Sequence, residues 1–290
     1  MAKKGDGDDG ICHDSSHTFF KFCNTGAFMA TKLRNLVIPL LLSSADAVYG
    51  EAIEDNSFLL EEAYNQEAGV VQFIQTYQKD KSGDSFYSLT VEAPAPNQSH
   101  QLSFTLPYSH TQGPPDVKGT GDVALNYRYQ LLAGETVAVA PRLSILVPTG
   151  DHDKGLGIGA TGLQTNWAVS VKAHPCLVVH MNVGATYLPG VKNLTHESVD
   201  LYGSNAALSL VWLLHENFNF LTEFVTSSMQ SGEASSAAPE TMALINPGFR
   251  YAVNFETSQL VLGASVPTPV LYSKGSASYF AYLSYEPKLW

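Results

Sequence analysis

Arg128, Arg142, Lys172, Glu223 and Arg250 are charged side chains set among apolar neighbours, and each shares its parity with polar residues such as Asn126 and His180. In extended chain, successive side chains point to opposite faces, so these seven residues belong to the polar face of strands whose other face is apolar. Basic groups collected on one wet face favour anions or hydrogen-bonding solutes at a constriction. Glu223 facing Arg250 would instead be an ion pair holding that face together. Arg128 facing Arg142, with Lys172 nearby, calls for an anionic partner, because like charges directly opposite one another repel. Asp151-His152-Asp153 offers carboxylates around an imidazole, a donor set for calcium or a transition metal. No second cluster adjoins it, so it reads as a solvated turn, and no metal or cofactor is expected. Acyl-transfer chemistry would show a Gly-x-Ser-x-Gly elbow or a Ser-x-x-Lys motif, and the chain has neither. His110, His152 and His196 stand in or beside the outer loops, where a surface hydrolase would keep its site, but with neither motif present no catalytic residue is expected.

Such a face requires extended chain on both sides. After Gly69 the hydrophobic period becomes two, as in Phe104, Leu106 and Tyr108, in Val123, Leu125, Tyr127 and Tyr129, and in Phe249, Tyr251 and Val253. The alternation covers residues 69–79, 84–93, 99–109, 121–132, 135–148, 160–173, 175–188, 199–214, 216–228, 241–254, 257–266 and 278–286, predicting twelve strands. Tight connections at Ala133-Gly134, His174, His215 and Phe255-Glu256 alternate with long polar ones at 111–120, 150–159, 189–197, 231–240 and 267–276; the first two, 80–83 and 94–98, blur the alternation. Short turns alternating with long loops mark an exported barrel, its turns periplasmic and its loops outside. A soluble antiparallel sandwich also alternates, but its strands are typically only about five or six residues long. The apolar faces here carry Tyr, Trp and Phe near the strand ends, as an aromatic girdle does, while Asn, Gln, Ser and Arg in mid-strand suit a wet lumen. The expected fold is all-β, a single antiparallel transmembrane β-barrel of about 12 strands over residues 69–290, with short periplasmic turns and longer extracellular loops.

Composition fits this reading. Only 15% of the 290 residues are charged, 16 basic against 27 acidic, for a net charge of −11; soluble domains carry about 25%. Acidity and the lack of Lys/Arg clusters exclude nucleic-acid binding, and no run of about 20 apolar residues exists for a spanning helix. Leu36-Val37-Ile38-Pro39-Leu40-Leu41-Leu42 follows Lys32 and Arg34 and precedes Ser43-Ser44-Ala45-Asp46-Ala47, the three regions of a secretory signal peptide. Residues 29–47 are therefore the expected export signal, with cleavage after Ala47 or alternatively Gly50, and residues 1–28 an upstream start or disordered extension. Cys12 and Cys23 fall in that head, which leaves Cys176 as the single thiol beyond it and excludes a disulfide framework. Residues 51–68 are expected to form a periplasmic or plug segment. Asn56 or Ser57 would cap a short helix there, and the Phe58-Leu59-Leu60 patch suggests docking at the periplasmic mouth.

Val147-Pro148-Thr149-Gly150-Asp151 resembles a motif of the meta-pathway phenol-degradation family of outer-membrane β-barrel transporters. So do Gly121-Asp122-Val123, Pro141-Arg142-Leu143, Gly155-Leu156-Gly157-Ile158-Gly159, Val183-Gly184-Ala185-Thr186-Tyr187 and Glu61-Glu62-Ala63-Tyr64-Asn65-Gln66-Glu67. The resemblance covers roughly residues 55–290, and its motifs are structural. It implies a channel in the outer membrane of a Gram-negative bacterium for passive uptake of small solutes, hydrophobic or aromatic compounds included, and carries over no catalytic residue. The alternative is a non-conducting barrel that anchors, scaffolds or binds surface ligands. Expected partners are the solute, outer-membrane lipid and lipopolysaccharide, and the barrel-assembly machinery during biogenesis. Barrels of this kind usually close on a C-terminal aromatic; Trp290 is one, although Pro287 and Lys288 interrupt the approach to it.

Overall fold

The computed structural model describes residues 55–192, 198–232, 239–271, 273 and 275–289. The expected export signal and head, His196, and Trp290 lie outside the described residues. Among the described residues fifteen strands form one sheet: β1 (Gln72–Lys79), β2 (Ser85–Pro94), β3 (His100–Thr111), β4 (Val117–Thr120), β5 (Val123–Tyr129), β6 (Leu132–Ala133), β7 (Val137–Val147), β8 (Gly162–His174), β9 (Leu177–Lys192), β10 (Ser198–His215), β11 (Phe218–Ser231), β12 (Glu240–Asn254), β13 (Ser258–Ser265), β14 (Thr268–Pro269) and β15 (Tyr279–Pro287). Twelve of them build the wall; β4, β6 and β14 are short additions flanking β3, β7 and β12. Every pairing is antiparallel, β1 pairs with β15 and β11 with β12, and the sheet closes into a barrel with no free edge.

The period of two decides which face meets lipid. Leu125, Leu143, Ile145, Leu163, Trp167, Val183, Phe224 and Leu262 are exposed on the outside. Their sequence neighbours Asn126, Ser144, Asn166, Asn182 and Glu223 are buried inside. Tyr77, Tyr108, Tyr187, Tyr202 and Tyr279 stand near the extracellular strand ends, and Tyr129, Phe220, Tyr251 and Tyr285 near the periplasmic ends. Two such aromatic belts around an apolar band identify a membrane-facing exterior, and the chain is an outer-membrane β-barrel. Pairing runs past Pro287: Val70 bridges Lys288, and Leu289 N donates to Gly69 O at 2.8 Å.

Before β1 the chain turns inward. No helix forms at Asn56 or Ser57; residues from Asp55 to Gly69 are irregular. A helix would satisfy backbone N–H groups internally, whereas here lumenal side chains of the wall accept from them, as described below. Two apolar clusters sit between this segment and the wall, one around Phe58, Ile74, Val211, Leu221, Val261, Phe280 and Tyr282, the other around Ala63, Ala138, Ala140 and Ala168.

Candidate functional site

Beyond the predicted export signal, which holds Arg34, the chain has three arginines: Arg128, Arg142 and Arg250. An arginine on the lipid face at mid-membrane costs about 2–4 kcal/mol, so their parity sends them into the lumen, where Arg128 and Arg250 are buried. Arg128 donates from Nε to Asn65 Oδ1 (2.9 Å), from Nη1 to Glu62 O (3.3 Å) and from Nη2 to Tyr64 O (2.5 Å). Arg250 Nη1 donates to Asp55 O and Asn56 O at 2.8 and 2.9 Å. Arg142 pairs through Nη2 with Glu61 Oε1 at 2.8 Å, and its guanidinium also reaches Asn126 Oδ1 (2.8 Å), Ser144 Oγ and Gln164 Oε1 (3.2 Å).

The segment they hold traces one circuit of the inner wall. Asp55 accepts from Tyr282 Oη and Gln72 Nε2, both at 2.6 Å, beside β15 and β1. Ser57 Oγ then donates to Ser209 Oγ on β10, Leu59 N to Glu223 Oε1 on β11, and Glu61 N to Asn182 Oδ1 on β9, each at 2.9 Å. Ala63 N donates to Ser170 Oγ on β8 at 2.8 Å, and that hydroxyl lies 2.7 Å from His180 Nδ1. Asn65 N and Gln66 N reach Gln130 Oε1 and Gln101 Oε1, both at 2.7 Å. Gln66 Nε2 donates to Gln72 Oε1 at 2.6 Å, which brings the circuit back to its start. Across its middle Asn56 Oδ1 accepts from Glu62 N at 3.1 Å, with both residues buried. Phe58 anchors the ring: its centroid lies 5.6 Å from those of Phe280 and Tyr282, and its edge fills a socket made by Gly248 and Gly263. A methyl at Gly263 would stand 2.7 Å from Phe58 Cζ.

Asp55 is fully shielded, and burial pushes its carboxyl up to about 6 against the opposing charge of Arg250 and the hydrogen bonds from Tyr282 and Gln72.

Asn126, Arg128, His180, Glu223 and Arg250 are thus buried in the lumen, and Arg142 is largely so. Arg128 lies opposite Arg142 in the β5–β7 register, and the anion between them is Glu61, 2.8 Å from Arg142 and 4.0 Å from Arg128. Two expectations need correcting. Glu223 lies opposite Asn246 and Arg250 opposite Asn219, so the register does not make them a cross-strand pair. Lys172 is exposed two residues before β8 ends at the periplasmic turn, beyond the ring. Asn166, Asn182, Ser170 and Gln101 carry the same polar parity as the residues singled out. Glu61 has no periodic signal at all, because its segment is irregular.

On the extracellular side, Asp122 accepts from Gly150 N (2.9 Å) and Ile158 N (2.7 Å), folding the 150–159 loop back over β5. Asp151 caps the 3-10 turn His152–Lys154 and pairs with Lys154 at 2.6 Å. Among the described residues no group of three His, Cys, Asp or Glu is arranged to hold a metal ion.

No known family's sequence profile matches the chain, and no curated protein matches it in sequence. Solved structures do match in fold. The chain is similar to the COG4313 outer membrane channel from Pseudomonas putida F1, at 12% identity over 78% of this chain and 97% of that one, with a TM-score of 0.60. It is also similar to the NanC porin, at 11% identity over 76% of this chain and 100% of that one, with a TM-score of 0.52. At these identities the likeness is one of fold.

Proposed function

We propose that the protein is an outer-membrane channel for passive entry of small solutes, closed at rest by residues 55–68. The observation that carries this is the content of the barrel. Side chains fill a barrel of about 8 strands and one of about 16 leaves an aqueous channel; this twelve-stranded lumen lies between them, and its Asn, Gln, Ser, Glu and Arg side chains have partners on the segment that precedes the barrel. Fold neighbours described as an outer membrane channel and a porin support the same reading. Arg128, Arg142, Arg250, Glu223, Asn126 and His180 are the constriction residues. The sequence resemblance to the meta-pathway phenol-degradation family supports hydrophobic or aromatic compounds among the solutes, with no catalytic step. Deleting residues 51–65 should raise single-channel conductance in planar bilayers. Unchanged conductance would count against the plug, and a deleted form that conducts nothing would favour the second reading, a barrel that anchors or binds ligands at the surface; the closed ring favours that reading.

A further inference from the structure

The three lumenal arginines are used differently. Arg128 and Arg250 hold backbone carbonyls, which fixes the path of the segment, whereas Arg142 holds the Glu61 side-chain carboxylate. The same carboxylate oxygen accepts from Asn166 Nδ2 at 3.1 Å, and Arg128 Nη1 lies 4.0 Å from the other. Asn126, Ser144 and Gln164 fix the Arg142 fork, whose buried Nε has no hydrogen-bond partner among the described residues. The pair is also more open than its surroundings: the Glu61 side chain is 25% exposed and that of Arg142 16%, against 4% for Arg128. The Glu61 backbone is secured without its carboxylate, because Asn182 accepts from Glu61 N (2.9 Å) and donates to Glu61 O (2.8 Å). The carboxylate can therefore swing away while the ring stays in place.

We infer that Arg142, with Asn166 and Arg128, is a lumenal binding site for the carboxylate of an organic-acid solute, and that Glu61 is the tethered stand-in filling it at rest. A buried guanidinium left without an anion is strongly disfavoured. Exchanging one carboxylate for another preserves the pairing, and exchange for a neutral solute does not. The site thus selects carboxylates: Arg142 Nη2 and Asn166 Nδ2 share one oxygen and Arg128 Nη1 faces the other, a spacing that a two-oxygen anion fits better than a spherical one. This deepens the channel reading by naming a solute class, and the lumen supplies the route to the site.

The test is calorimetric titration of the purified full chain in detergent with sodium benzoate and with benzyl alcohol, at fixed chloride. A tethered competitor acts at an effective concentration on the order of millimolar, so the parent should bind benzoate weakly. Glu61→Gln should bind it about tenfold more tightly or better, and benzyl alcohol should not bind either form. Glu61→Gln/Arg142→Lys keeps the net charge of the single variant but loses the fork, and its affinity should fall back to the parent's. Glu61→Ala serves if the glutamine variant fails the heat-modifiable gel shift of a folded barrel. No gain on removing Glu61, a gain surviving Arg142→Lys, or equal binding of benzyl alcohol would overturn the inference. Binding with no conductance in the 51–65 deletion would refute the channel and leave the site; conductance without binding would do the reverse.

Discussion

Phe58→Ala isolates the anchor of the ring from its hydrogen bonds. Phe58 is 6% exposed, packs on Phe280 and Tyr282, and presses its edge against Gly248 and Gly263. Removing a buried Phe side chain costs about 3–5 kcal/mol. Because the wall strands keep their own pairing, that loss falls on docking of the segment, and the undocked fraction should rise by about two to four orders of magnitude. Hydrogen exchange reads this directly: Leu59 N, Glu61 N, Ala63 N, Asn65 N and Gln66 N all donate to wall side chains and exchange only when the segment lifts. Exchange of the 55–68 peptide should accelerate by that factor while peptides from β9 and β10 keep their protection. Gly263→Ala should act in the same direction by expelling the ring, and in the double variant the two effects should add to less than their sum, since the methyl then enters the space the ring has left. Unchanged protection at 55–68, or an equal loss in β9 and β10, would refute the reasoning.

The docked Asp55 carboxyl is pushed up to about 6 from 3.8, so docking takes up a proton. The segment should be held most firmly below pH 3.8 and progressively less as pH rises through about 6; Asp55→Asn should flatten this dependence of the exchange protection factors, and an unchanged slope would exclude Asp55 as its source. Asp122→Ala removes the acceptor of Gly150 N and Ile158 N, at about 1–3 kcal/mol per orphaned donor. Trypsin should then cut at Lys154 at least about tenfold faster, and equal cleavage rates would show that the loop does not depend on the clamp. Arg128→Ala and Arg142→Ala should each reduce anion preference in reversal potentials across a KCl gradient. Arg128→Ala should also raise the frequency of openings, because the Glu62 and Tyr64 carbonyls and Asn65 Oδ1 lose their donor; selectivity identical to the parent's would refute the constriction.

Much of this protein was legible from local pattern. A side-chain period of two assigns each residue to lipid or lumen without knowledge of its partner strand, so the twelve strands, the alternation of turns and loops and the inward parity of Arg128, Arg142 and Arg250 all follow from residue order. Arg128 opposite Arg142 followed as well, because a short hairpin joins their strands and fixes the register. What needed the closed barrel was everything that depends on absolute register and on distant chain. Glu223 meets Asn246 instead of Arg250 because the β11–β12 pairing is offset by four residues from the one that would join them, and no local signal encodes that offset. The path of residues 55–68 was equally hidden: its backbone groups are answered mainly by lumenal side chains scattered over several strands, Glu223 for Leu59 N, Asn182 for Glu61 N, Ser170 for Ala63 N and Gln101 for Gln66 N, so no periodicity records it. The anion that lets two arginines face each other is Glu61, remote in sequence from both, and only closure of the wall around the segment brings the three together.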